Sequence, residues 1–462
     1  MNNPEKVTST SSVGVDASLS DLRNSFKGRI LLPSDEPYEK ARVVWNSMIN
    51  KKPQLILQCT DKNDVVAAIK FARANQLQVS VRGGGHNVAG NAVTEGGIMI
   101  DLSPMKSIQI DLLALTARVE PGVIWKELDK ATIEHGLATN GGTVSDTGVA
   151  GLTLGGGVGW LMSKHGTTGD NLLEAEMVLA NGEIVTVNAD NYPDLYWAIR
   201  GGGGNFGVVT SFLFKLHKVE TTVKAGMILH PMESAKDMFR FFREHVRNAP
   251  DELMSYSGFI VTPDGHPVAM ILPAWMGPLE EADRWLDPLR KFGTPLADMV
   301  SEMPYTSLQS ILDEAAPWGL RRYWKSGNFE NLTDELIDIV MKNLEARPSP
   351  YTPFLLFHHR GAGATLPLES TAFPHRGDLW GGDIISQWTD AADDEKNVSW
   401  TRKFWKEIEP LSRGVYVNHL DGDDGNDRVR NAYGSNYEKL AMIKKKYDPE
   451  NFFRLNNNIL PA

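Results

Sequence analysis

From Pro53 onward, short apolar runs alternate with stretches whose apolar residues recur every three or four positions. Gln54 to Gln58 predicts a strand, and Asp61 to Asn75, with Val65, Val66, Ile69 and Ala72 at helical spacing, predicts a helix. Gln78 to Val81 and Ile98 to Asp101 predict further strands, followed by a segment from Thr116 to Val119. Val123 to His135 predicts a helix stopped by Gly136. Glu174 to Leu179 and Glu183 to Val187 flank Asn181-Gly182, a favoured turn pair, and predict a hairpin. Tyr192 to Arg200 predicts a helix that Gly201 to Gly204 breaks, and Gly207 to Phe214 predicts a strand.

Past Lys218 the pattern changes. Strands at Gly226 to Leu229, Val268 to Leu272 and Phe354 to His359 mix with amphipathic helices at Ser234 to Val246 and Leu279 to Lys291. A last helix, Asn436 to Lys446, ends at the stop signal Tyr447-Asp448-Pro449. The reading is an α+β chain with a first domain at 27–217, a second at 218–433 and a C-terminal segment at 434–462. Residues 1–26 are Ser/Thr-rich with few apolar anchors and predict a flexible tail.

The length of 462 residues suits two or three domains with a large core. The net charge of −11 opposes a surface that must neutralise phosphates, so no nucleic-acid partner is expected. Cys59 is the single cysteine, which rules out an internal disulfide and a cysteine metal cluster. The polar N-terminal stretch lacks the apolar run of a signal or membrane anchor, and a soluble, cytoplasmic protein with no membrane partner is expected.

The 42 glycines are bunched. The bunch from Gly141 to Gly169 suits neither a regular helix nor a packed strand, so the backbone there is expected to turn sharply or lie against a ligand. None of the bunches ends in the Gly-Lys of a P-loop. Gly202-x-Gly204-x-x-Gly207 follows a predicted helix and opens a predicted strand, the reverse of a dinucleotide-binding turn. HExxH and GxSxG do not occur, and no metal site is expected. A pyrophosphate-bearing cofactor held in extended form across several glycine loops remains, and FAD fits that description.

The segments VRGGGHNVAG (81–90), GVAGLTLGGGVGWL (148–161), DLYWAIRGGGGNFGVVT (194–210), TAFPHR (371–376), YVNH (416–419) and YDPENFFRLNNNI (447–459) resemble, in order, the FAD-linked oxidases of berberine bridge enzyme type. The resemblance spans Arg42 to Pro461. It implies a two-subdomain FAD-binding domain of p-cresol methylhydroxylase (PCMH) type, plus a substrate domain whose antiparallel sheet is covered by helices. It implies covalent attachment of FAD through His86. Val144 occupies the slot of a second, cysteinyl link, so a single covalent bond is expected. Thr147 falls near the oxygen-reactive face and is small, compatible with O2 access. Cofactor contacts are expected from Arg82, Gly83, Gly84, Gly85 and Asn87; from Gly142, Thr143, Gly148, Gly151, Leu152, Gly155 and Gly156; and from Gly207, Val208 and Val209. Tyr416 and Asn418 are expected at the ring edge, with Asn456 and Asn458 from the returning C-terminal segment.

The implied reaction is two-electron oxidation of a small alcohol, sugar or amine by hydride transfer to flavin N5, with O2 reoxidising the flavin to give H2O2. A flavin dehydrogenase with another acceptor and a non-catalytic flavin sensor are the alternatives. Many relatives place a tyrosine where this chain has His419, a departure that favours imidazole, with an ordinary pKa near ~6.5, as the base. Asp383, at a position where relatives carry a carboxylate or amide, is expected to orient it. His358 is a third candidate base, although His358 and His359 alternate on one strand and at most one faces the pocket. Tyr323-Trp324-Lys325 is a candidate stretch of pocket lining, although aromatics at such spacing are more often core.

Overall fold

The computed structural model describes residues 12–462 except Pro263. Two sheets organise the first domain. In one, Arg29–Leu31, Leu55–Gln58, Ile98–Asp101 and Val79–Arg82 lie side by side in that order, the first pair antiparallel and the others parallel. The crossover is the helix Lys62–Ala74. It starts where the Asp61 carboxylate accepts the backbone N–H groups of Asn63 and Asp64, and its Val65, Ala68, Ile69 and Ala72 are fully buried on the sheet. Strand Val79–Arg82 then delivers the chain into the Gly83–Gly85 loop.

The second sheet is antiparallel, in the order Ile108–Asp111, Thr116–Val119, Val208–Lys215, Leu172–Val178 and Ile184–Asn188. Its last two strands form the hairpin expected at Asn181-Gly182, where Gly182 takes φ +82°.

A large antiparallel sheet builds the second domain. Along it lie Ala297–Asp298, Ile228–Pro231, Pro267–Trp275, Leu253–Val261, Phe354–His359, Leu379–Trp388 and Arg321–Phe329. The helices Ala235–Arg247, Leu279–Arg290, Asp334–Glu345 and Asp394–Ile408 cover one face, burying Phe239, Phe242, Leu286, Ile337 and Phe404. The other face, with Tyr256 and Phe357, shares a core with the first domain. The chain is thus α+β, as expected from the pattern.

Two expectations need correction. The helix Ser12–Ser25 stands where a tail was expected through residue 26, because Leu22 and Phe26 sit one turn apart and bury themselves in the core of the first sheet. Residues 1–11 lie outside the described residues. The glycine-rich stretch also contains the helix Val149–Leu154 and the short helical turn Met162–His165. Burial of Val149 and Thr153 between the glycines outweighs their low helix propensity.

The end of the chain is tied to the Gly202–Gly204 loop by a buried cation. Lys444 is fully buried, and its Nζ donates to Asp448 Oδ2 (2.6 Å), the Asn205 carbonyl (2.7 Å) and the Phe453 carbonyl (3.0 Å). The Asn205 side chain answers by accepting from the Ile459 N–H (2.9 Å) and donating to the Asn457 carbonyl (3.1 Å). This places Leu455, Asn456 and Asn457 on the cavity described below.

Candidate active site

A cavity of about 370 Å³ runs between the glycine loops, the second-domain sheet and the returning C-terminal segment. Its glycine wall is formed by direct backbone approach. A Cβ on Gly84 would lie 2.5 Å from the Gly148 nitrogen, and one on Gly148 would lie 2.4 Å from the Gly84 nitrogen. Only glycine at both positions lets the loop after Val79–Arg82 meet the start of the helix Val149–Leu154.

His86 closes the glycine loop at the cavity wall. Its Nε2 is 2.9 Å from Asp146 Oδ1, and its ring stacks on Trp45 with centroids 4.2 Å apart. Trp318 Nε1 donates to the other oxygen of Asp146. Burial raises the Asp146 carboxyl, but the hydrogen bonds from His86 and Trp318 outweigh it and hold it below the usual carboxylate range. The carboxylate therefore stays charged and orients the imidazole.

On the second-domain side, His419 Nδ1 is 2.9 Å from Asp383 Oδ1, and the Ser326 hydroxyl donates to the same oxygen at 2.6 Å. Ser326 and Asp383 are direct cross-strand partners, so the sheet register sets that contact. The His419 ring meets Tyr416 and Trp324 edge-on, at centroid distances of 4.8 and 5.4 Å. Its Nε2 has no hydrogen-bond partner among the described residues and belongs to a residue lining the cavity. Tyr416 cannot take the same part. Its hydroxyl accepts the Gly157 N–H (3.0 Å) and the Asn418 amide (2.7 Å), and burial pushes its phenol up to about 12.

Most residues singled out in the sequence meet here. His86, Gly83 to Gly85, Asn87, Gly142 to Val144, Thr147, Gly148, Gly151 and Leu152 all line the cavity, as do Gly207 to Val209, Tyr416, Asn418, Asn456, Asp383 and His419. Gly203 and Gly204 join them, so the reversed glycine motif contributes wall without a dinucleotide-binding turn.

Five residues stand elsewhere. Arg82 turns back to donate to the Ala41 carbonyl. Gly155 and Gly156 lie behind the wall, where a Cβ would strike Asn418 at 2.1 Å and Phe373 at 2.4 Å. Asn458 is half-buried outside the lining, with its Oδ1 buried and unpartnered. His358 bonds Asp378 and stacks on Trp380 at 4.4 Å, on the strand side that faces the helices. Strand alternation sends Leu355 and Phe357 to the cavity and removes His358 from it.

Trp45 was not expected in the wall, and of Tyr323, Trp324 and Lys325 only Trp324 lines it. Trp324 alternates with Tyr323 and Lys325, and those two leave the cavity to bond Asp423. This alternation is visible in the sequence, but which phase faces the cavity is not. Trp45 lies upstream of the first element predicted from the sequence and carries no motif.

The donor set fits a flat cofactor with a pyrophosphate. Glycine loops bring backbone within reach, the wall is long and largely apolar, and the buried Asn456 Oδ1 lacks a partner beside it. Among the described residues no group of three or more His, Cys, Asp or Glu could hold a metal ion, and no helix is long and apolar enough to cross a membrane.

Comparison with known proteins agrees. A family model described as FAD binding domain matches residues 53–188, and one described as berberine and berberine like matches residues 415–460. An FAD-linked oxidoreductase of Dictyostelium discoideum is 32% identical, with 97% of this chain and 98% of that protein matched. (R)-6-hydroxynicotine oxidase of Paenarthrobacter nicotinovorans is 29% identical over 95% of this chain and 97% of its own. The crystal structure of 6-hydroxy-D-nicotine oxidase from Arthrobacter nicotinovorans superposes with a TM-score of 0.88 at 28% identity, covering 95% of this chain and 99% of that one.

Proposed function

Because this chain belongs to the berberine-like family of FAD-dependent oxidoreductases, we propose that it is an oxidase of a small alcohol or amine in which His419 is the base and His86 the covalent anchor. The observation that carries this reading is the Asp383–His419 pair at 2.9 Å on the cavity wall. When bound, FAD supplies the acceptor for the hydrogen and electron pair of the substrate C–H bond and passes that pair to O2, which becomes H2O2.

The protein's part is proton chemistry and orientation. Asp383 accepts the Nδ1–H of His419, which leaves the Nε2 lone pair to take the proton from the substrate O–H or N–H. Ser326 holds the carboxylate oxygen in place. At the other end, Asp146 engages Nε2 of His86, so Nδ1 is the nitrogen left to form the covalent bond. Val144 lines the cavity, and by the resemblance it stands in the slot of a cysteinyl link, which valine cannot make. The partners are thus a small molecule and O2. The relative named as a hydroxynicotine oxidase supports both the oxidase reading and an organic amine or alcohol as substrate. One buried free cysteine permits no internal disulfide, which is compatible with a reducing compartment such as the cytoplasm.

Anaerobic mixing with an oxidisable substrate tests the base: His419→Gln should slow flavin bleaching, and an unchanged rate removes His419 from the reaction. Mixing the reduced enzyme with air tests the acceptor. Reoxidation over minutes rather than in under a second contradicts an oxidase.

A further inference from the structure

We propose that the substrate is an apolar, ring-bearing alcohol or amine whose one polar group sits at the oxidised carbon, and that sugars are rejected. This inference rests on the reading of His419 as the base. It comes from what the cavity face of the second-domain sheet does with its polar groups.

Three strands present that face. From them Trp324, Leu355, Phe357 and Ile385 offer apolar surface to the cavity, with Tyr256 from the next strand. Beside the cavity, the polar side chains on the same face are engaged with one another; Asn328 and His359, farther along it, carry unpartnered nitrogens but do not line the cavity. Gln387 accepts from Arg322 Nε (2.9 Å) and donates to the carbonyls of Ala315 (3.2 Å) and Tyr351 (3.0 Å). Arg322 gives three further N–H groups to the carbonyls of Trp45, Leu320 and Pro317. Ser326 is engaged by Asp383, and Thr143 is the hydrogen-bonding neighbour of the Tyr256 hydroxyl.

The nearby backbone is engaged as well. The Ala316 carbonyl accepts Trp45 Nε1 (2.9 Å), the Pro353 carbonyl accepts the Ile385 N–H (3.2 Å), and Pro353 has no N–H. What remains is concentrated at one spot: His419 Nε2, the second oxygen of Asp383, and the unpartnered Nε1–H of Trp324, whose ring lies edge-on to His419 at 5.4 Å. These groups can serve one heteroatom. A sugar ring brings several hydroxyls, and each one set against Leu355, Phe357 or Ile385 would lose its water without gaining a partner, at about 1–3 kcal/mol. An aromatic or alicyclic body instead gains from burial against the same side chains.

The experiment uses the FAD-loaded enzyme under anaerobic conditions, with cinnamyl alcohol and benzylamine set against glucose and xylobiose. The ring compounds should bleach the flavin with a kcat/KM at least about a hundredfold above either sugar, as two unmade hydrogen bonds imply. A titration of the oxidised enzyme with indole and with xylobiose reads binding alone: indole should shift the flavin absorption bands and xylobiose should not. Sugars that match or exceed the ring compounds overturn the inference and leave the base intact. Should no compound bleach a flavin that dithionite still reduces, the reading of His419 falls and takes the inference with it. As a second variant, Ile385→Asn should lower cinnamyl alcohol oxidation at least about tenfold by placing an unpaired amide against the ring. An unchanged rate in a variant that stays yellow shows that this face does not touch substrate.

Discussion

The Trp45 indole lies against the His86 imidazole, with planes 20° apart and centroids 4.2 Å apart, and the Arg322 guanidinium sits 3.5 Å from the centroid of the same indole. Arg322 is fully buried and bonded only to carbonyl and amide oxygens, without a carboxylate partner among them. Burial lowers it to about 9, which leaves it charged at neutral pH. Trp45 thus joins a buried cation of the second domain to the histidine proposed as the flavin anchor in the first.

The anchor gives the first prediction. His86→Ala should release the flavin on acid precipitation, leaving a colourless pellet and a yellow supernatant. Asp146→Ala should retain His86 but lower the covalently attached fraction, because the imidazole loses the partner of its Nε2. Retained colour in the His86→Ala pellet would place the link on another residue.

The base gives the second. His419→Gln should lower the anaerobic flavin-reduction rate by about 10²–10⁴-fold, the usual loss when a general base is removed. Asp383→Asn should also lower it, because an amide can offer Nδ2–H to His419 Nδ1 and so favour the wrong tautomer. Rapid-mixing absorbance measures both, and an Asp383→Asn rate equal to the parent's contradicts the orienting role.

Close backbone approach gives the third. Gly84→Ala and Gly148→Ala each place a methyl group within 2.5 Å of backbone that has no side chain to move aside. Each should cost about 1–3 kcal/mol or more, seen as a lower melting temperature and easier loss of FAD from an unlinked His86→Ala background. Because both act on one contact, the double variant should cost less than the sum.

Asp129 gives a pH dependence. It sits on the helix Trp125–Ile133 of the first domain and accepts from Gln309 Nε2 (2.6 Å), which comes from the second-domain helix Tyr305–Gln309. Burial raises its carboxyl from the ordinary 3.8 to about 7, although the Gln309 hydrogen bond works against it. The folded state therefore holds a proton that the unfolded state releases between those two values. Stability contributed by that proton is complete below the lower value and disappears as pH rises through the upper one. Asp129→Asn should raise the melting temperature at about pH 8, by on the order of a few kcal/mol of stability, and the gain should shrink toward about pH 5. A gain independent of pH would show that Asp129 is not the titrating group.

Local patterning in the chain carried a large share of this picture. Bunched glycines announced a backbone-lined cavity because only residues without Cβ allow contacts such as Gly84 on Gly148. The helix over Lys62–Ala74 and the hairpin at Asn181-Gly182 were legible because caps, apolar spacing and turn chemistry act within a few residues. Leu22 and Phe26 hid a helix, since their i, i+4 spacing has meaning only against the sheet they cover.

The active-site wall was decided at longer range. Alternation along a strand shows that His358 and Phe357 face opposite ways, but four helices packed on one side of the sheet determine which of them meets the cavity. His419 and Asp383 are 36 positions apart and meet because a short helical turn folds back over the sheet edge. Trp45 reaches His86 by the same kind of long-range packing. Residue types and local turns are set by neighbours in the chain, whereas the face a side chain shows to a ligand is set by whatever occupies its other side.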